Sequence, residues 1–152
     1  MRTTVFILAV IVSGCSSAAA LADECEAIVA DLVAREGAIA EQRTPAGQIP
    51  LKHPLASEVV VECPTAPGAP IDLYLNWDGA FPPRTFYEFA GRAGQIVTAA
   101  QAGVVKQGAM KCQRAALRSR NEMANTTVGG IAFECQAFTR DGGGTAITIY
   151  RK

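Results

Sequence analysis

The side chains of this 152-residue chain with the most capacity for chemistry are carboxylates, and several crowd into one stretch. Glu58, Glu62, Asp72 and Asp78 are candidates for glycoside hydrolysis, which needs two carboxyl groups flanking the scissile bond. Alternation argues for a simpler role. In Ile71-Leu73-Leu75-Trp77 the apolar positions alternate with Asp72, Tyr74 and Asn76, which puts Asp72 on the solvent side of a strand. Val59, Val61 and Cys63 alternate in the same way with Glu58 and Glu62. These carboxylates are expected on a solvated sheet face.

Other catalytic patterns fail on their partners. His53 is the single histidine and lies between Lys52 and Pro54. A catalytic histidine needs a nucleophile and an orienting group, and no G-x-S-x-G elbow is present. It is expected as an exposed loop side chain. Gly142-Gly143-Gly144-Thr145 lacks the G-K-[ST] ending and the following helix of a phosphate loop, so it reads as a hairpin turn. No catalytic residue, metal site or cofactor is expected.

Binding is a better fit. Trp77 and Phe81 stand at the end of a strand beside a turn, where aromatics stack on sugars or anchor protein partners. Trp77 also continues the Ile71-Leu73-Leu75 face, which places it in the core. The formal charge is zero, which excludes a generally basic nucleic-acid binder. That zero hides a division. Residues 23–90 carry four Lys/Arg against eleven Asp/Glu, and residues 91–152 carry nine against three. Lys111, Arg114 and Arg118 share one helical face in the basic part, opposite Cys112 and Ala116. Such a row suits an anionic partner or lipid phosphates. The plainer expectation is a structural row that suits its helix C-terminus or pairs with the acidic half.

Cysteines set the framework. Setting Cys15 aside, Cys25, Cys63, Cys112 and Cys135 form an even set without a C-x-x-C pair, which points to two disulfides in an oxidising compartment. Three connectivities are possible. Cys25 lies on the apolar stripe of a helix and Cys63 on the apolar face of a strand; Cys112 and Cys135 repeat that relation. The expected pairs are Cys25–Cys63 and Cys112–Cys135.

The elements that must position these residues read as α-β-β-α-α-β-β. Asp23 and Glu26 form a capping-box pattern opening a helix over about 24–42, with Ile39 and Ala40 on its stripe and Pro45 ending it. Pro45, Pro50 and Pro54 hold an extended connection. Strands follow at about 57–63 and 71–77, then a helix opened by Pro82-Pro83 and running to about Ala102. Gly91 and Gly94 inside it imply a close approach to the sheet. The Ala/Lys/Gln/Arg-rich segment 106–120 favours a helix over a strand. A hairpin, 131–139 and 145–151, closes the chain. The expected fold is α+β, a four-stranded antiparallel sheet with helices on one face.

Residues 1–22 read as an export signal, leaving a single domain over 23–152. Arg2 supplies a positive start, residues 5–12 an apolar stretch too short to span a bilayer, and Ala20-Leu21-Ala22 a cleavage site. Val12-Ser13-Gly14-Cys15 also resembles the lipobox of bacterial lipoproteins, with Val where Leu is usual. That resemblance covers four residues; it implies lipidation at Cys15 and a membrane anchor, and nothing about activity. Both alternatives place the chain in a bacterial envelope, periplasmic or secreted in the first case. No transmembrane segment is expected in the mature chain. The expected function is a non-catalytic envelope protein that binds a partner, as accessory subunit, inhibitor or adaptor, the partner being an unknown envelope protein or an anionic surface. The alternative is a small exported hydrolase using carboxylates.

Overall fold

The computed structural model describes residues 17–66 and 68–152, with side chains from Glu24 onward. Arg2, the apolar stretch 5–12 and Cys15 with its lipobox lie outside the described residues. The first helix, α1 (Ser17–Glu36), starts before Asp23, because an alanine-rich run continues it toward the N-terminus. Asp23 therefore does not open the helix, and the expected cleavage point after Ala22 falls within it. Gly37, in the left-handed region at φ 71°, ends α1 well before Pro45, and its N–H bonds back to Val33 O. Ile39 and Ala40 leave the helical stripe and form β1 (Ile39–Ala40).

Among the described residues the sheet has seven strands, not the four expected. After β1 come β2 (Gln48–Lys52), β3 (Glu58–Glu62) and β4 (Asp72–Trp77), then α2 (Arg84–Thr98) and α3 (Ala102–Arg118). The chain closes with β5 (Met123–Val128), β6 (Ile131–Phe138) and β7 (Gly144–Arg151). Spatial order is β1-β2-β3-β4-β7-β6-β5, and every neighbouring pair is antiparallel. The four expected strands are the inner ones, β3, β4, β7 and β6. The outer strands were not expected because β1 is two residues long, β2 contains Pro50, and β5 buries little apolar surface.

Alternation gives the sheet a dry side and a wet side. Ile49, Leu51, Val59, Val61, Leu73, Leu75, Ile147, Ile149 and Phe133 are buried against the helices. α2 lies over β4 and β7, α3 over β5 and β6, and α1 packs beside α2. The buried stripe of α2 is Phe86, Phe89, Ala90 and Ala93; that of α3 is Val105, Ala109, Cys112 and Ala116. Burying a large side chain of this kind contributes about 1.5–3 kcal/mol.

Small residues set the layer spacing. A β-carbon at Gly91 would lie 2.7 Å from Ala102 O, and one at Gly94 2.5 Å from Val105 Cγ1. The close approach expected from these glycines is thus chiefly to α3 rather than to the sheet. At Gly108 a β-carbon would lie 2.2 Å from the Phe133 ring, so glycine lets α3 sit directly on β6. Disulfides join Cys25 to Cys63 and Cys112 to Cys135, each tying a helix to a strand or its end.

Candidate functional site

Two surfaces carry most of the groups singled out by sequence, and one sheet margin adds groups that were not. The wet sheet face holds the carboxylates. Gln48 faces Glu62, and Glu62 faces Asp72, in one cross-strand row. Gln48 Nε2 donates to Glu62 Oε1 at 3.0 Å, and Tyr150 Oη donates to Glu134 Oε1 at 2.7 Å. Asp72 Oδ1 is buried without a hydrogen-bond partner. Burial, then the charges of Glu62 and Glu134, push the Asp72 carboxyl up to about 6. A hollow of about 230 Å³ on this side is lined by Tyr74, Asn76, Asp78 and Gln136, and of the four carboxylates expected from sequence it takes only Asp78. The acidic side chains form a ladder on an open face, not a pair across a cleft. Among the described residues, no group of His, Cys, Asp and Glu is placed to hold a metal ion.

His53 is a structural residue of a different kind from the exposed loop histidine expected. Its ring stacks on Phe89 with centroids 3.8 Å apart. Leu55 N–H donates to Nδ1 at 3.2 Å, which leaves the proton on Nε2 to donate to Glu36 O at 3.1 Å. The imidazole thus caps the last turn of α1, and burial lowers its pKa. The glycine run forms the β6–β7 turn, with Gly143 N–H bonded to Arg140 O at 2.8 Å. Trp77 turns inward, half-buried, with its ring 6.0 Å from that of Phe86. Phe81 is 74 % exposed. The two aromatics point to different surroundings and do not make one platform.

The helix layer carries the cations. Lys111, Arg114 and Arg118 are exposed on α3. Arg35, Arg43, Lys52, Arg84, Arg92, Lys106 and Arg140 each lie within 4.0 Å of a carboxylate. Among the described residues, none of the three α3 cations does. Arg92 and Lys106 do pair with the acidic half, at Glu36 and Glu88, but the row of three does not, and the Glu62 and Asp72 ladder lies on the far side of the sheet. Val104, seven and fourteen residues before Lys111 and Arg118, shares their side of the helix. Val104 also lies against Gly129 at the β5–β6 turn, where a β-carbon would stand 3.0 Å from its Cγ1. Lys111 and Arg118 therefore flank β5.

The margin formed by β5 was not anticipated. Gly129-Gly130 makes a two-residue hairpin turn in which both residues have positive φ, and Val128 faces Ile131. Ala137 N–H donates to Glu122 O across the same ladder at 3.0 Å. Even-numbered residues of β5 therefore bond to β6, and Asn125 and Thr127 turn N–H and C=O outward. Among the described residues, no other group bonds to them. The Gly-Gly turn was the available signal.

No family model matches the chain, and neither a curated protein nor a solved structure does. No helix among the described residues is long and apolar enough to cross a membrane.

Proposed function

We propose that this protein is exported to the bacterial envelope and acts by binding a partner through the cationic face of α3. The supporting observation is the row Lys111, Arg114 and Arg118, exposed and without a carboxylate partner among the described residues. Unpaired cations in a row attract and orient an anionic partner, and they add little to fold stability. Two disulfides accord with an oxidising compartment, periplasmic or extracellular. Either maturation route, cleavage after Ala22 or lipidation at Cys15, delivers the chain there.

The test is Arg114→Glu with Arg118→Glu. Affinity capture from envelope extract with the wild type, at low and raised salt, is compared with capture by the variant. The expected result is a captured species lost on charge reversal and on adding salt, since exposed charges are screened over about 10 Å at 0.1 M. Thermal stability should stay the same. A lower melting temperature with unchanged capture overturns the proposal.

A further inference from the structure

We infer that the partner presents an extended acidic segment, which adds as an eighth strand to the β5 margin beneath Lys111 and Arg118. This inference rests on the binding role proposed above and names the chemistry of the partner. Two independent features meet at this place. The first is a strand edge with free hydrogen-bonding groups. Asn125 and Thr127 are exposed and turn their backbone groups outward, and β5 contains no proline and no charged residue to repel an incoming strand. An extended peptide gains affinity from that backbone and specificity from side chains at alternate positions.

The second feature is charge. α3 runs antiparallel to β5, joined to it by residues 119–122, with Val104 at the far end of the hairpin. A strand added beside β5 would place alternate side chains on the helix side of the sheet, near Lys111 and Arg118. Those two residues stand about 10 Å apart along the helix, between the two- and four-residue spacings of side chains on one strand face and within the reach of their long side chains. Acidic side chains at alternate positions reach both. A second copy of this chain is a poorer occupant. Pairing β5 with β5 about a two-fold axis would bring two sets of Lys111 and Arg118 together, and like charges disfavour that contact.

The probe is a capped eight-residue peptide alternating Glu with Thr, compared with its Lys-for-Glu counterpart. Amide hydrogen exchange is followed on the disulfide-intact protein with the peptide at millimolar concentration. The Glu peptide is expected to slow exchange at Asn125 and Thr127 and to bind about tenfold more tightly than the Lys peptide. Thr127→Pro removes an outward N–H while sparing the ladder to β6, and should weaken binding about tenfold. Lys111→Glu with Arg118→Glu should reverse the preference between the peptides. Exchange on the wild type decides the question if the proline variant does not fold. Binding without protection of Asn125 and Thr127 overturns strand addition and leaves the cationic-face role standing, as does retention on anionic vesicles with both amides unprotected. Protection that appears on raising protein concentration alone assigns the edge to a second copy and overturns the inference. Absence of peptide binding together with charge-independent capture overturns both the inference and the role it rests on.

Discussion

One margin of the sheet is β2 under the two-residue β1, the other is the six-residue β5, and the chain treats them in opposite ways. Along β2, Glu41 N–H bonds to Pro50 O at 2.9 Å, Thr44 N–H to Gln48 O at 2.8 Å, and Gln48 N–H to Thr44 Oγ1 at 3.2 Å. β1 pairs with the remaining residues, Leu51 and Lys52. Pro50 has no N–H to leave bare, and Lys52 and Glu41 add an ion pair. β5 has no such cover. Its outward backbone groups face water, with Lys111 and Arg118 above it on α3 and Glu134 opposite Asn125 on the wet face. Exposed edges invite pairing with other chains, and proteins usually blunt them with proline, charge or a covering loop. This chain does so at one margin and leaves the other available, which is the arrangement expected when one edge has a use.

Each margin also has a covalent staple one strand inward, and the largest effect is expected there. Replacing Cys112 and Cys135 together with alanine should lower stability by about 3 kcal/mol in urea denaturation. The same change at Cys25 and Cys63, which close a somewhat longer loop, should cost about as much or slightly more. A loss below about 1 kcal/mol at one pair only would show that its margin is held by packing instead.

A smaller effect is expected between the margins. Asp72 lies in the row that starts at Gln48 beside the closed edge, and its carboxyl is pushed up to about 6 in the fold. An unfolded carboxyl titrates near 3.9, so between about pH 4 and 6 the folded chain keeps a proton that the unfolded chain has lost. Stability contributed by this group is therefore full below that window and lost as pH rises through it. Asp72→Asn should raise stability at pH 8 by about 1 kcal/mol, a figure reduced for solvent screening, and by nothing below pH 4. Equal gains at both pH values would remove the carboxyl as the cause.

The smallest expected effect tests the closed edge directly. Thr44→Val removes the hydroxyl that receives Gln48 N–H. Amide exchange at Gln48 should speed up by up to about tenfold, the equivalent of one modest hydrogen bond. Exchange at Asn125 and Thr127 should stay fast and unchanged. If those two amides are already slow in the isolated wild type, the contrast between the margins fails.

The inner sheet was legible because its strands are buried on one face. Leu73 and Leu75, or Ile147 and Ile149, alternate with polar residues over the full length needed to reveal a strand. The margins were not. Pro50 argued against a strand at 48–52, although a proline is tolerated where its missing N–H faces an edge. Met123-Ala124-Asn125-Thr126-Thr127-Val128 buries too little to show strong alternation. Gly37 signalled the end of α1, but the apolar phase of Ile39 and Ala40 happened to continue the helical stripe past it. At the candidate site, the periodicity of α3 showed that Lys111, Arg114 and Arg118 share a face. It could not show that these three stay unpaired among the described residues while Arg92 and Lys106 reach Glu36 and Glu88, because that depends on how the helices pack against one another.

The strand pairing also divides the chain in a way that bears on how it is made. β1 to β4 form one meander with Cys25–Cys63 on its side, and β5 to β7 form another with Cys112–Cys135. Among the described residues, the only strand contact between them is β4 with β7, and β7 follows the other elements in the sequence. Each cysteine pair is consecutive in the order of synthesis. With Cys15 out of the pool, an oxidase that joins every new thiol to the unpaired one before it would produce the native bonds without reshuffling. The two stapled halves would then wait, their central strand edges unpaired, until the last strand arrives to zip them together.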